Sequence, residues 1–479
     1  MNMQGNVQEI PRMKMSKMKM SRMKMSRRVR ENNISEWRKK MNKKWCLVTV
    51  LMAFSVILLA ACTGSKDKPS IYYLNFKPEA AAVWQEIAEV YEKETGVHVK
   101  VITAASGTYE QVLQSEIAKR EAPTLFQING PNALKTWGQF CLDLKDTKLY
   151  EWLLDKSLAV TDGKGVYGIP YVVEGYGIIY NKTIMNKYFS LTNRATDVNS
   201  VDEINNFEKL KAVVEDMTAH KDELGIEGVF ASTSFAKGED WRWQTHLLNL
   251  PVYYEFKDKN ITDTNNLEMK YADNYKNIFD LYVDNSCTSK TELSLKTVNN
   301  SMEEFALGKV AMVQNGNWGW SQISGVSGNV VNADDVAFLP IYTGVAGEEK
   351  QSICIGTENY FCVSSWASKE DQKATIDFIE WLFSSEKGKD YVTNKLGFIS
   401  PFSTFGDDEI PSDPLAAQVV KYMSDDKLTS VSWNFTAFPN QIFKDEVGQS
   451  LLDYLKGDKL WELVITDLKA GWTREKTGE

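Results

Sequence analysis

Histidine is scarce in this chain. His98, His220 and His246 are the only three in 479 residues, and none sits in a Ser- or Cys-containing catalytic motif. The six cysteines are scattered, with none at metal-ligand spacing to another or to a histidine. A structural or catalytic zinc site is therefore not expected, and neither is a cofactor. Positive charge is short everywhere but the start. Residues 1–61 hold 14 Lys/Arg and 3 Asp/Glu, so a formal charge of −9 for the whole chain divides into +11 for the leader and −20 for the rest. A body that acidic repels phosphate backbones, which argues against a nucleic-acid partner. After residue 61 no apolar run reaches membrane length. What remains, 43% hydrophobic and 25% charged, has a globular composition long enough for two or three domains.

The first 61 residues read as an address. The near-repeat Met13-Lys14-Met15-Ser16-Lys17, Met18-Lys19-Met20-Ser21-Arg22, Met23-Lys24-Met25-Ser26-Arg27 is basic, lacks a hydrophobic period and cannot build a core. Met41-Asn42-Lys43-Lys44 then leads into the uncharged run Trp45–Ala61, which ends Leu59-Ala60-Ala61-Cys62. A basic stretch, an apolar stretch and small residues are the parts of a secretory signal, and Met41 is the expected start. Residues 1–40 would otherwise be a long basic extension of that signal. Cysteine directly after Leu-Ala-Ala resembles the bacterial lipobox, which implies cleavage before Cys62, lipidation of its thiol and anchoring to the outer face of the cell membrane. An uncleaved membrane anchor is the alternative, because the run sits at the lower limit for a span. Residues 62–70 then form the lipidated cysteine and a flexible tether.

The mature chain opens with a strand pattern, Ile71–Leu74, a polar turn, and a helix carrying Val83, Ile87, Val90 and Tyr91 on one face and ending at Gly96. Val97–Val101 alternates as a strand, a helix is expected over Tyr109–Arg120, and Thr124–Ile128 is apolar. This β-α-β-α-β order implies a parallel sheet covered by helices, with ligands beyond the carboxyl ends of the strands. Gly175 and Gly177, flanking Tyr176, mark a strand that bends or crosses between units. Helices are expected at Thr375–Phe383, Gly448–Lys456 and Trp461–Ala470.

Several segments in this order carry a resemblance. They are Tyr91–Val97; Tyr167-Gly168-Ile169-Pro170 with Tyr180-Asn181-Lys182; Phe305–Met312 with Asn317-Trp318; and Ala374–Leu382. Over nearly all of 71–470 the chain resembles the extracellular solute-binding proteins of bacterial carbohydrate ABC importers, the group that includes maltose-binding protein. The resemblance implies an α/β fold of two lobes, each a mainly parallel sheet flanked by helices, joined by two or three crossing segments around a ligand cleft. One lobe is expected over 71–175 and 345–400, the other over 176–344 and 401–479. It also implies a monomer that delivers a neutral oligosaccharide to permease subunits.

Carried onto this sequence, the resemblance places Glu174 as a cleft carboxylate and Trp318 as a stacking tryptophan. It places Asn75, Lys77 and Glu79 in the loop after the first strand, and Asn129 and Asn132 in the loop after the third. Asn129-Gly130-Pro131-Asn132 departs from the tryptophan-containing loop of maltose-binding protein, which tells against maltose as the ligand. Tyr176 and Asn317 flank these positions, and Trp433 stands where a late cleft tryptophan is expected. Glu174 has a second reading as a hinge carboxylate paired with a lysine, and Trp318 as a core residue.

Two further clusters are read from the residues themselves. Asp240-Trp241-Arg242-Trp243-Gln244 combines aromatic planes with charged and polar hydrogen-bonding groups, a mix that suits a sugar subsite. Both tryptophans share a face only if the segment is extended; otherwise they are core residues beside a surface ion pair. Glu358, Asn359 and Tyr360 form a polar loop between apolar runs, either lining a cleft or making turn contacts. No catalytic residue is assigned. An exported glycoside-active enzyme, which would need two spaced carboxylates, and a surface sensor or adhesin are the competing functions. Cys141, Cys287, Cys354 and Cys362 are buried thiols or, for the neighbours Cys354 and Cys362, a disulfide.

Overall fold

The computed structural model describes residues 68–478 apart from 106, 233 and 407. The signal, Met41, Cys62 and most of the tether lie outside the described residues. The chain from Pro69 onward forms one compact unit. Among the described residues no helix is long and apolar enough to cross a membrane.

Strands β1 (Ser70–Asn75), β2 (His98–Thr103), β3 (Leu125–Ile128), β4 (Val160–Thr161) and β5 (Val166–Pro170) belong to a first sheet. Strands β6 (Glu174–Asn181), β7 (Gly228–Phe230), β8 (Val310–Gly316), β9 (Val336–Leu339) and β10 (Gln351–Gly356) belong to a second. Then β11 (Tyr360–Val363) returns to the first sheet and β12 (Thr429–Ser432) to the second. The spatial orders are β2-β1-β3-β11-β5-β4 and β12-β10-β6-β8-β7, with β9 also on β6.

The sequence patterns follow from these positions. β1 lies between β2 and β3, so Ile71 to Asn75 are all buried, whereas the edge strand β2 alternates buried and exposed. The helix Ala81–Thr95 buries Trp84, Ile87, Ala88 and Tyr91, and Gly96 at φ 73° closes it with an N–H to Glu92 O. Its buried stripe is turned from the expected one, leaving Val83 and Val90 only partly covered. The expected helix at 109–120 ends earlier, at Ile117. The late helices are longer than their apolar stretches suggested: Lys369–Ser384, Gln441–Lys456 and Trp461–Thr477.

The two-sheet α/β architecture matches the expectation, but the sheets are mixed rather than mainly parallel. Parallel pairing is confined to β1 with β2 and β3, β7 with β8, and β10 with β12. Antiparallel pairs arise where β6 and β11 enter their sheets from the opposite one, and β4 and β5 add a further antiparallel pair within the first sheet. The chain crosses three times: between β5 and β6, between β10 and β11, and between Phe402, bridged to Leu153, and the helix Pro414–Met423 packed on the second sheet. β10 therefore lies in the second sheet, although 345–400 was assigned to the first, and the crossing falls at Thr357–Asn359.

Gly175 and Gly177 lie where β6 is tightly packed. A Cβ at Gly177 would lie 2.6 Å from Leu339 O, and one at Gly175 2.7 Å from Val419 Cγ2. Cys354 and Cys362, close in sequence, are in different sheets, and all four described cysteines are free thiols.

Candidate functional site

A cavity of about 630 Å³ opens between the sheets. One wall follows the carboxyl ends of β1, β2 and β3 with Phe76 to Glu79, Gly107, Tyr109 and Asn129. The other carries Glu239 to Trp241, Gln244 to His246, Asn299, Trp318, Gln322 and Lys444. Glu174 and Glu358 enter from the crossing segments. Of the expected site residues, Lys77, Glu79, Asn129, Glu174, Asp240, Trp241, Trp318 and Glu358 line this space.

The deepest polar feature is an ion pair. Lys77 Nζ donates to Glu174 Oε1 at 2.7 Å and lies 3.7 Å from Glu79 Oε1, while Asn359 Nδ2 donates to Glu174 Oε2 at 2.9 Å. Burial pulls the Lys77 ammonium down, but Glu174 and Glu79 outweigh it and hold its pKa above the ordinary lysine value. Burial pushes the Glu174 carboxyl up, and Lys77 and Asn359 oppose it. Both readings of Glu174 thus meet in one residue: it is paired at the crossing, and it lines the cavity. Lys77 Nζ also stands 5.6 Å from the centre of the Trp318 ring.

An aromatic floor lies beside this pair. The Trp241 and Trp318 rings are 6.1 Å apart at 41°, and His246 meets them edge-on at 4.7 and 5.6 Å. His246 stacks on Tyr176 at 4.3 Å, and burial, with Arg242 and Lys444 adding repulsion, drives its pKa far below the usual value, so the ring is neutral. Gly316 makes room for the Trp318 ring: a Cβ there would fall 2.1 Å from Trp318 Cζ3. Asp240, half-buried against Gly448, has its carboxyl pushed by burial to about 7. Glu358 is likewise raised by burial, with Lys444 opposing.

The other expected residues are withheld from the cavity. Asn75 is fully buried and braces the loop, its Nδ2 donating to Lys77 O. Tyr176 is buried with its hydroxyl on His246 O, Asn317 accepts from the Gly175 N–H, and Tyr360 donates to Thr357 O. Asn359 supports Glu174 from behind. Trp433 is 7% exposed and stands edge-on behind Trp318 at 6.4 Å. Residues Arg242–Leu247 form a π-helix, neither extended nor α-helical. Trp241 just before it faces the cavity, while Arg242 and Trp243 turn into the core.

Asn132 does different work. Its Nδ2 donates to Ala437 O and Phe438 O at 2.8 and 3.1 Å, joining the first-sheet rim to the second. Two glycines make a second rim contact, since a Cβ on Gly107 would lie 2.4 Å from Gly238 O. The two rims of the cavity thus touch at these two places.

Sequence reasoning missed Thr245 and His246, just past the cluster that ends at Gln244, and Gln322, four residues after Trp318. Their neighbours were the available signal. Gln441 and Lys444 carried none.

The profile described as bacterial extracellular solute-binding protein matches residues 86–418. Among solved structures, a chitin oligosaccharide binding protein is 17% identical, with a TM-score of 0.68 over 87% of this chain and 100% of that one. The solute-binding protein RafE in complex with raffinose is 16% identical, TM-score 0.64, over 85% and 99%. A sugar transporter from Bacillus licheniformis in complex with stachyose is 15% identical, TM-score 0.62, over 85% and 99%. At such identities the likeness shows the two-lobed fold alone.

Proposed function

The chain belongs to the bacterial extracellular solute-binding proteins, and from that premise we propose that it captures a neutral oligosaccharide between its lobes and delivers it to the permease of an ABC importer. The observation that carries this reading is the Trp241–Trp318 floor beside amides and carboxylates. Aromatic planes cover the C–H face of a pyranose, while Asn129, Gln244, Gln322 and the carboxylates exchange hydrogen bonds with ring hydroxyls. The volume falls in the range of small-molecule sites and has room for more than one pyranose. The structural neighbours seen with chitin oligosaccharide, raffinose and stachyose in their names support the same class.

In this reading the protein binds without turnover. Glu174 is committed to Lys77 and Asn359, as suits a binding wall better than an acid or nucleophile. Cys62 carries the lipid that holds a monomeric binder outside the membrane. The two sheets are the lobes that close on ligand, with Thr357–Asn359 among the hinge segments.

The test is thermal melting of the Pro69–Glu479 unit against α-glucosides, α-galactosides, and β-linked xylo- and manno-oligosaccharides, with chromatography of each sugar afterwards. Ligand at 100 times its Kd stabilises by about 2.7 kcal/mol. A melting shift confined to one linkage class, with the sugar recovered intact, is expected. Cleaved sugar would establish the enzyme instead, and flat melting across the panel would remove the oligosaccharide assignment.

A further inference from the structure

Behind Trp241 lies a second, much smaller cavity of about 10 Å³, lined by Phe230, Ser232, Arg242, Trp243, Tyr282, Ser301 and Gln314 among others. Its space suits one water-sized guest. Arg242 is 2% exposed, and its Nε, Nη1 and Nη2 meet no hydrogen-bond partner among the described residues. The Trp243 Nε1–H and the Tyr282 hydroxyl are equally unpartnered. Among the described residues the unpartnered side-chain acceptors on this wall are Gln314 Oε1 and the Tyr282 hydroxyl oxygen, while Gln314 Nε2 donates to Arg242 O at 3.0 Å. Donors therefore greatly outnumber acceptors.

Charge is unbalanced in the same sense. The carboxylates that act on the guanidinium are Glu239, which also accepts from the Val298 N–H, and Glu79, which faces Lys77 Nζ at 3.7 Å; neither hydrogen-bonds to it. A buried guanidinium whose counter-charges do not touch it is poorly compensated. Burial does pull the Arg242 pKa down, to about 9, which still leaves it charged at neutral pH. Stacking on Trp241, 4.1 Å from ring centre to guanidinium carbon, offsets part of this cost but supplies no hydrogen-bond acceptor.

The geometry points to an internal site for a monatomic anion of the chloride class, held by the Arg242 guanidinium with the Tyr282 O–H and Trp243 N–H. A single small anion satisfies donors from three side chains and neutralises the guanidinium, which a water molecule does not. Polyatomic anions are excluded by size. Because Arg242 covers one face of Trp241 and the binding cavity lies against this residue, the anion also holds the tryptophan's back support in place.

Two measurements test this on the Pro69–Glu479 unit. Crystals grown with sodium bromide should show an anomalous-scattering peak beside Arg242, Tyr282 and Trp243; a light-atom peak or no peak there overturns the site. Melting temperature should rise by several degrees from about 1 mM to about 300 mM sodium chloride, with sodium gluconate holding ionic strength constant. A chloride-independent melting point overturns the proposal. Arg242→Met should abolish the dependence, and should it fail to fold, the bromide crystal of the unsubstituted chain still decides.

Discussion

Lys77 and Glu174 are each nearly sealed from solvent, so neither tolerates losing the other. Lys77→Met strands a buried carboxylate and should destabilise the protein by about 3–5 kcal/mol in urea melts. Adding Glu174→Gln should restore much of that, and failure to do so would mean that the pair is not the source of the loss. Trp318→Ala removes one plane of the aromatic floor. Sugar affinity measured by calorimetry should fall roughly 10- to 100-fold. Unchanged affinity would return Trp318 to the core. Asp240 gives a pH signature. Its folded pKa is raised to about 7, so between the ordinary carboxylate range and 7 the unfolded chain has lost a proton that the folded chain keeps. Stability should therefore decline as pH rises through that window, and Asp240→Asn should flatten the decline. At this scale Lys77, Glu174 and Trp318 were singled out by the resemblance, which fixes their places at the ends of recognisable strands, and all three line the cavity. The burial of Arg242, Trp243, Tyr176 and Asn317 was not legible, because no local pattern says which polar or aromatic side chain tertiary packing will bury.

At the scale of elements, β8 and the turn after it act together. Gly316 ends the strand and gives the Trp318 ring its space, so Gly316→Ala adds one methyl group where the ring lies. Sugar affinity should drop nearly as far as for Trp318→Ala, with Trp fluorescence shifted; normal binding would show that the ring moves freely. Strands and helices were largely readable, since period and glycine punctuation decide them locally. The π-helix at Arg242–Leu247 was not, as its extra residue per turn leaves no mark in a five-residue cluster. Nor was the placement of β10. Its apolar run fits either sheet, and only pairing with β6 and β12 selects the second.

For the whole molecule, closure is the property at stake. Asn132 makes two hydrogen bonds across the rims, and a ligand shifts such a balance only by its differential affinity for the closed form. Asn132→Ala should lower apparent affinity roughly tenfold and enlarge the ligand-free particle in X-ray scattering. An unaltered particle and affinity would place this contact outside the closing equilibrium. The sequence pointed to Asn132 as a ligand residue because a loop after a strand can face either the cavity or the opposite rim.

The place of β11 has a consequence in time. It lies between β3 and β5, yet it is translated long after both, once most of the second sheet has been made. Until that late segment emerges, the first sheet has a gap between β3 and β5. Pairings between such distant parts of a chain form slowly. A chain that joins β3 to β5 only through β11 therefore completes its first sheet late, with residues 360–363 as the closing piece.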